Sequence, residues 1–149
     1  MNEIDKIKSL REATGLSLNE IKKALSEAKG DEDKAKGILD KLGVKMAAKK
    51  ASREVKEGII ESYVHNTRKI GAMVEVLCET DFVAKNIEFQ HLAKELAMQI
   101  VAMKPENNDE LLAQSFIRNP EVNIQELIDQ AIAKLGENIQ VGKFNIFEI

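Results

Sequence analysis

"GIIESYVHNTRKIGAMVEVLCETDFVAKN", residues 58–86, holds two different periodicities and the break between them. "GIIESYVH" and "GAMVEVLCE" alternate with period two and are rich in β-branched residues, and "NTRKI" joins them. On the second run Ala72, Val74, Val76 and Cys78 share one face, while Met73, Glu75, Leu77 and Glu79 share the other. That alternation predicts an antiparallel hairpin with one face buried. It stops at Glu79-Thr80-Asp81, and a large aromatic, Phe82, follows the aspartate directly in a chain that is only 4% aromatic. Phe82 can fold back as a hydrophobic staple on the next helix. It can equally stand out as an interface anchor, because an aromatic held between two rigid elements loses little entropy on docking.

Downstream the period changes to that of a helix. Asn86 is placed to cap it, and Phe89, Leu92, Ala93, Leu96, Ala97, Ile100 and Val101 form one apolar stripe. Pro105 marks its end. "DELLAQSFI", residues 109–117, reads as a short helix. Asn123 opens another, with Leu127, Ile128, Ala131 and Leu135 inward and Gly136 closing it. The last run, "NIQVGKFNIFEI", reads as a strand. Ile139 and Val141 share one parity and Phe144 and Ile146 the other, so a one-residue shift near Gly142 predicts a bulge. The expected order is β-β-α-α-β, a small antiparallel sheet covered by helices, which is an α+β fold.

Upstream, residues 1–43 read as a three-helix bundle. Ile4, Ile7 and Leu10 recur at helical spacing, and Thr14-Gly15 breaks the run. Ser17 and Glu20 make a capping box ahead of Leu18, Ile21, Leu25 and Ala28. Gly30 and Asp31 separate the second helix from a third with Ala35, Ile38, Leu39 and Leu42 inward, and Gly43 is expected to end it. Residues 44–56 lack a strong apolar stripe and read as a linker, helical in part, leaving 57–149 as the second module.

Composition narrows the function. The net charge of -3 and the mixed signs along the chain argue against a general nucleic-acid binder. The basic cluster Lys45, Lys49, Lys50, Arg53 and Lys56 reads as a solvated face. No run approaches the ~18 apolar residues of a membrane span. "MNEIDKIKSL" lacks the apolar core of a secretory signal, and the single cysteine fits a reducing cytoplasm. Catalytic signals are weak. Cys78 and His65 could pair as nucleophile and base, but Cys78 falls on the core face. His91 has no metal-spaced partner, and neither phosphate-binding glycine loop occurs. No cofactor, metal site or enzymatic activity is expected.

The chain as a whole resembles the elongation factor Ts family. "LREATGLSLNEIKKALSEAKGDEDKA" is similar to that family's N-terminal ubiquitin-associated-type bundle. "SYVHNTRKIGAMVEVLCETDFVAKNIEF" is similar to the start of its core, with the Thr-Asp-Phe-Val signature, and "AKLGENIQVGKF" to its closing motif. The resemblance implies a guanine-nucleotide exchange factor for the GTPase elongation factor Tu, acting by binding alone. It implies that Thr80, Asp81, Phe82 and Val83 carry the wedge that spoils the partner's magnesium site, with His65 as a further core contact. It implies docking of the N-terminal helices on the same GTPase domain through Leu10, Arg11, Thr14, Gly15, Leu18, Lys22 and Lys23. The rival reading is a ubiquitin-associated-type adaptor without exchange activity.

Longer members of that family carry a second core half, and this sequence stops at Ile149 after one. Its last strand is apolar on both parities, with Phe144, Ile146, Phe147 and Ile149. A homodimer through the core sheet is therefore expected to cover the second face. Asn145 stands where some short members place a cysteine, so no disulfide would link the copies there.

Overall fold

The computed structural model describes residues 2–149. Three helices come first: α1 (Glu3–Thr14), α2 (Leu18–Glu27) and α3 (Glu32–Lys50). Each starts on a side-chain cap, from Asn2, Ser17 and Asp31, and Ser17 and Glu20 form the expected reciprocal capping box. Leu16, just ahead of the Ser17 cap, and Ile21, one turn in, are both buried together, which fixes the entry of α2. Leu18, expected on the inner face, is instead partly exposed, because it sits on the first residue of the helix.

Gly43 does not end the third helix. It lies buried within α3, which continues to Lys50 through the first half of the segment read as a linker. The apolar stripe runs on through Leu42, Met46 and Ala47, and a Cβ at Gly43 would sit 3.4 Å from that of Ala133. That is ordinary van der Waals contact, so the glycine is neither a helix stop nor required by the packing of α7. Of the segment read as a linker, only residues 51–56 lie outside helix and strand.

The sheet is antiparallel with order β1-β2-β5, formed by β1 (Glu57–Val64), β2 (Ile70–Cys78) and β5 (Gln140–Glu148). β2 shows the expected alternation, with Ala72, Val74, Val76 and Cys78 all buried. Val74 pairs with Phe144 and Val76 with Val141, so β5 carries one extra residue opposite Glu75. That is the bulge expected near Gly142. The Glu75 carboxylate accepts the freed Lys143 N–H at 2.8 Å, and the Asn108 amide donates to the carbonyls of Val141 and Gly142.

Between β2 and β5 lie α4 (Asp81–Ala84), α5 (Ile87–Met103), α6 (Asn108–Ala113), β3 (Ser115–Phe116), β4 (Asn119–Asn123) and α7 (Ile124–Leu135). α5 buries the whole predicted stripe from Phe89 to Val101 against the sheet. The β3–β4 hairpin replaces the end of the helix expected over 109–117. Buried Gln99 holds it, donating to the Ser115 carbonyl at 3.0 Å and accepting from the Ile117 N–H at 3.0 Å. α7 packs on two sides, against α3 and against α5. Its fully buried residues are therefore Ile124, Ile128 and Ile132, while Leu127, Ala131 and Leu135 are half-buried. Among the described residues no helix is long and apolar enough to cross a membrane.

Candidate partner-binding site

β2 ends with Cys78 pointing into the core, and the chain must reverse within a few residues to begin α5. Thr80 makes that possible. Its hydroxyl caps the single turn α4, accepting from the Val83 N–H at 3.4 Å. Val83 and Ala84 then face inward and are buried. A one-turn helix that buries its third and fourth residues must present its second outward. Phe82 is accordingly 86% exposed, so it is not a staple on the following helix. Ile87, at the start of α5, is also exposed. Asp81 opens α4 and lies 3.5 Å from Lys85, an exposed pair that contributes little stability.

The turn is fixed from the far end of the chain. Glu137 follows α7, and one of its carboxylate oxygens accepts the N–H groups of Glu79 at 3.1 Å and Thr80 at 3.0 Å. The other oxygen accepts the Thr80 hydroxyl at 2.6 Å. In return the Glu79 carboxylate accepts the Asn138 N–H at 2.6 Å and lies 3.7 Å from the Arg53 guanidinium. The Asn138 amide, which is buried, donates to the carbonyls of Arg53 at 2.8 Å and Ala51 at 3.4 Å. Three segments distant in sequence therefore meet behind Phe82. Sequence reading missed this set. Its one local signal was three polar residues, Glu137, Asn138 and Gln140, directly after the helix-ending Gly136.

The remaining candidate residues lie elsewhere. His65 begins the β1–β2 turn, where its Nδ1 lies 3.2 Å from the Thr67 N–H and 3.0 Å from the Thr67 hydroxyl. The whole of β2 separates it from Phe82, about 25–30 Å at the usual rise per residue. His65 thus shares no surface point with the Phe82 turn, and it cannot serve Cys78 as a base. The Cys78 thiol donates to the Thr80 carbonyl at 3.2 Å. Burial, reinforced by the Glu137 charge, pushes its pKa up to about 11, so it stays protonated near neutral pH. His91 stands 3.5 Å from buried Glu95, which Arg118 already pairs at 2.6 Å.

Among the N-terminal candidates, Leu10 and Thr14 are buried. The Thr14 hydroxyl donates to the Leu10 carbonyl at 2.7 Å and accepts the Leu16 N–H at 3.3 Å, which shapes the α1–α2 turn. Gly15 closes α1 with φ +68° and packs on Lys134 of α7. Arg11, Leu18, Lys22 and Lys23 face outward.

The family model described as elongation factor TS matches residues 79–149, from the Phe82 turn to the end of β5. A relative from Heliobacterium modesticaldum named elongation factor Ts is 39% identical over an alignment covering 96% of this chain and 87% of the relative. One from Thermodesulfovibrio yellowstonii with the same name is 42% identical, covering 96% and 94%. One from Carboxydothermus hydrogenoformans is 38% identical, covering 96% and 87%. The chain belongs to the elongation factor Ts family, whose members are translation elongation factors. The Heliobacterium alignment spans 188 positions against a chain of 149 residues, so this chain lacks residues that its relative carries.

Proposed function

We propose that the chain binds elongation factor Tu in its GDP form and promotes GDP release. The observation that carries the reading is Phe82: 86% exposed, on a turn whose neighbours Val83 and Ala84 are buried and whose backbone Glu137 holds at two N–H groups. An apolar side chain offered to solvent on so constrained a turn is preorganised to enter a partner. Exchange then follows from linkage. A factor that binds the nucleotide-free GTPase better than the GDP form lowers GDP affinity by the same ratio. No bond is made or broken, so the chain acts as an exchange factor and not as an enzyme.

In this reading Thr80 and Val83 hold the turn, while Asp81 and Phe82 meet the partner. Arg11, Leu18, Lys22 and Lys23 form the exposed part of the N-terminal docking face, and Leu10, Thr14 and Gly15 shape it from beneath. His65 contributes at the opposite end of the hairpin, and the protein works in the cytoplasm. A second copy covers the outer face of the sheet, where Ile60, Met73 and Phe147 are exposed. The adaptor alternative leaves the exposure and fixing of Phe82 without a purpose. Release of labelled GDP from elongation factor Tu, with and without the chain, tests the proposal: faster release supports it and an unchanged rate refutes it.

A further inference from the structure

We infer that Glu137 is the positioning residue for Phe82: its carboxylate holds the β2–α4 turn in the conformation that presents the aromatic. This rests on the proposed exchange activity and names a residue outside the Thr-Asp-Phe-Val segment. Glu137 makes three bonds to two consecutive residues, the Glu79 N–H, the Thr80 N–H and the Thr80 hydroxyl. The same Thr80 oxygen that donates to Glu137 at 2.6 Å accepts from the Val83 N–H. Donating to the carboxylate orients the hydroxyl hydrogen away from α4 and leaves its lone pairs for the cap. The bond to Glu137 therefore sets the cap, and the cap sets the direction of Phe82. Carboxylate acceptors make the stronger class of hydrogen bond, and these groups are partly screened from water. A shorter side chain at 137 would leave two backbone donors of the turn without their acceptor.

The lock is reciprocal. Glu79 returns a bond to the Asn138 N–H, and Asn138 grips the Arg53 carbonyl. Arg53 follows the end of α3, so the same cluster joins the exit of the N-terminal bundle to the turn. The spacing between the docking face and Phe82 is thereby set by side chains and not by a free linker.

The test is a double-mutant cycle on the rate of labelled GDP release from elongation factor Tu, with amide hydrogen exchange on the free chain. Glu137→Ala is expected to slow release about tenfold in the otherwise wild-type chain and by less than about twofold when Phe82 is already alanine, because it acts through Phe82. The amides of Glu79 and Thr80 should lose protection in Glu137→Ala while those of α5 keep theirs. Thr80→Val, which keeps side-chain shape but removes both the 2.6 Å bond and the Val83 cap that it orients, should show the same coupling if Glu137→Ala folds poorly. Glu137→Gln, which keeps one acceptor oxygen, should restore part of the rate. Equal losses in both backgrounds, or unchanged protection of the two amides, would overturn the inference. A wild-type chain that releases no GDP refutes the exchange reading itself, and the amide data then report only on the turn.

Discussion

Gly15 lies against Lys134: a Cβ on the glycine would fall 2.4 Å from the lysine Cγ and 2.9 Å from its Cα. The lysine also reaches the Glu12 carbonyl at 3.0 Å and the Glu88 carboxylate at 3.1 Å. One side chain of α7 thus touches the end of α1 and the start of α5. Gly15→Ala should strain the left-handed turn at φ +68° and push α1 off α7. A loss of about 2–3 kcal/mol is expected from the two effects together. Melting followed by circular dichroism should fall by roughly 5–10 °C. An unchanged melting temperature would mean that the α1–α2 turn does not pack on α7 in solution.

What the sequence displayed locally, the fold kept. The alternation over 72–78 and the stripe over 89–101 are strong single-period signals, and both faces are buried as read. Gly43 misled because a glycine after an apolar stripe has the same local look whether it ends a helix or lies inside one. The helix runs on because Met46 and Ala47 beyond it pack against the two hydrophobic clusters, which depend on residues distant in sequence. The β3–β4 hairpin escaped because it is short, contains Pro120, and depends on Gln99 for its bonds. The direction of Phe82 could not be read from its own segment either. It follows from the burial of Val83 and Ala84 and from Glu137, which is 57 residues from Thr80.

Cys78 gives a prediction in pH. Its folded pKa of about 11 lies above the ordinary 9.0 because burial disfavours the thiolate. Below pH 9 the thiol is protonated in both states and costs nothing. As pH rises from 9 toward 11 the unfolded chain loses this proton first, so stability contributed by Cys78 is lost across that window. Urea titrations at pH 8 and pH 10.5 should show a larger drop for wild type than for Cys78→Ala. Native labelling by iodoacetamide at pH 8 should be slow and become fast in urea. Rapid native labelling would contradict the buried, protonated thiol.

We propose that the sheet module folds without the bundle. A chain beginning at Val44 keeps Ala47 against its core but loses the contacts of α3 before that point with α7. It should unfold cooperatively at a lower temperature than the whole chain, and bind the GTPase more weakly. The absence of a cooperative transition would show that the two modules depend on a shared core.

The outer face of the sheet tests the proposed dimer. Phe147 is 74% exposed there and pairs across from Gly71, with Met73 and Ile60 on neighbouring strands. Sedimentation equilibrium at micromolar concentration should give a dimer for the wild type and a monomer for Phe147→Glu. A monomeric wild type with full exchange activity would leave that face to the GTPase.

The most direct test concerns Phe82. Stopped-flow release of a fluorescent GDP analogue from elongation factor Tu is measured against increasing wild-type chain and Phe82→Ala. Truncating an exposed side chain should leave the melting temperature unchanged, whereas loss of an interface anchor costs ~2 kcal/mol or more, about thirtyfold in binding. The account predicts accelerated, saturable release by the wild type and a shift of about thirtyfold to higher concentration for Phe82→Ala. Identical release curves for the two chains, or no acceleration by either, would contradict it.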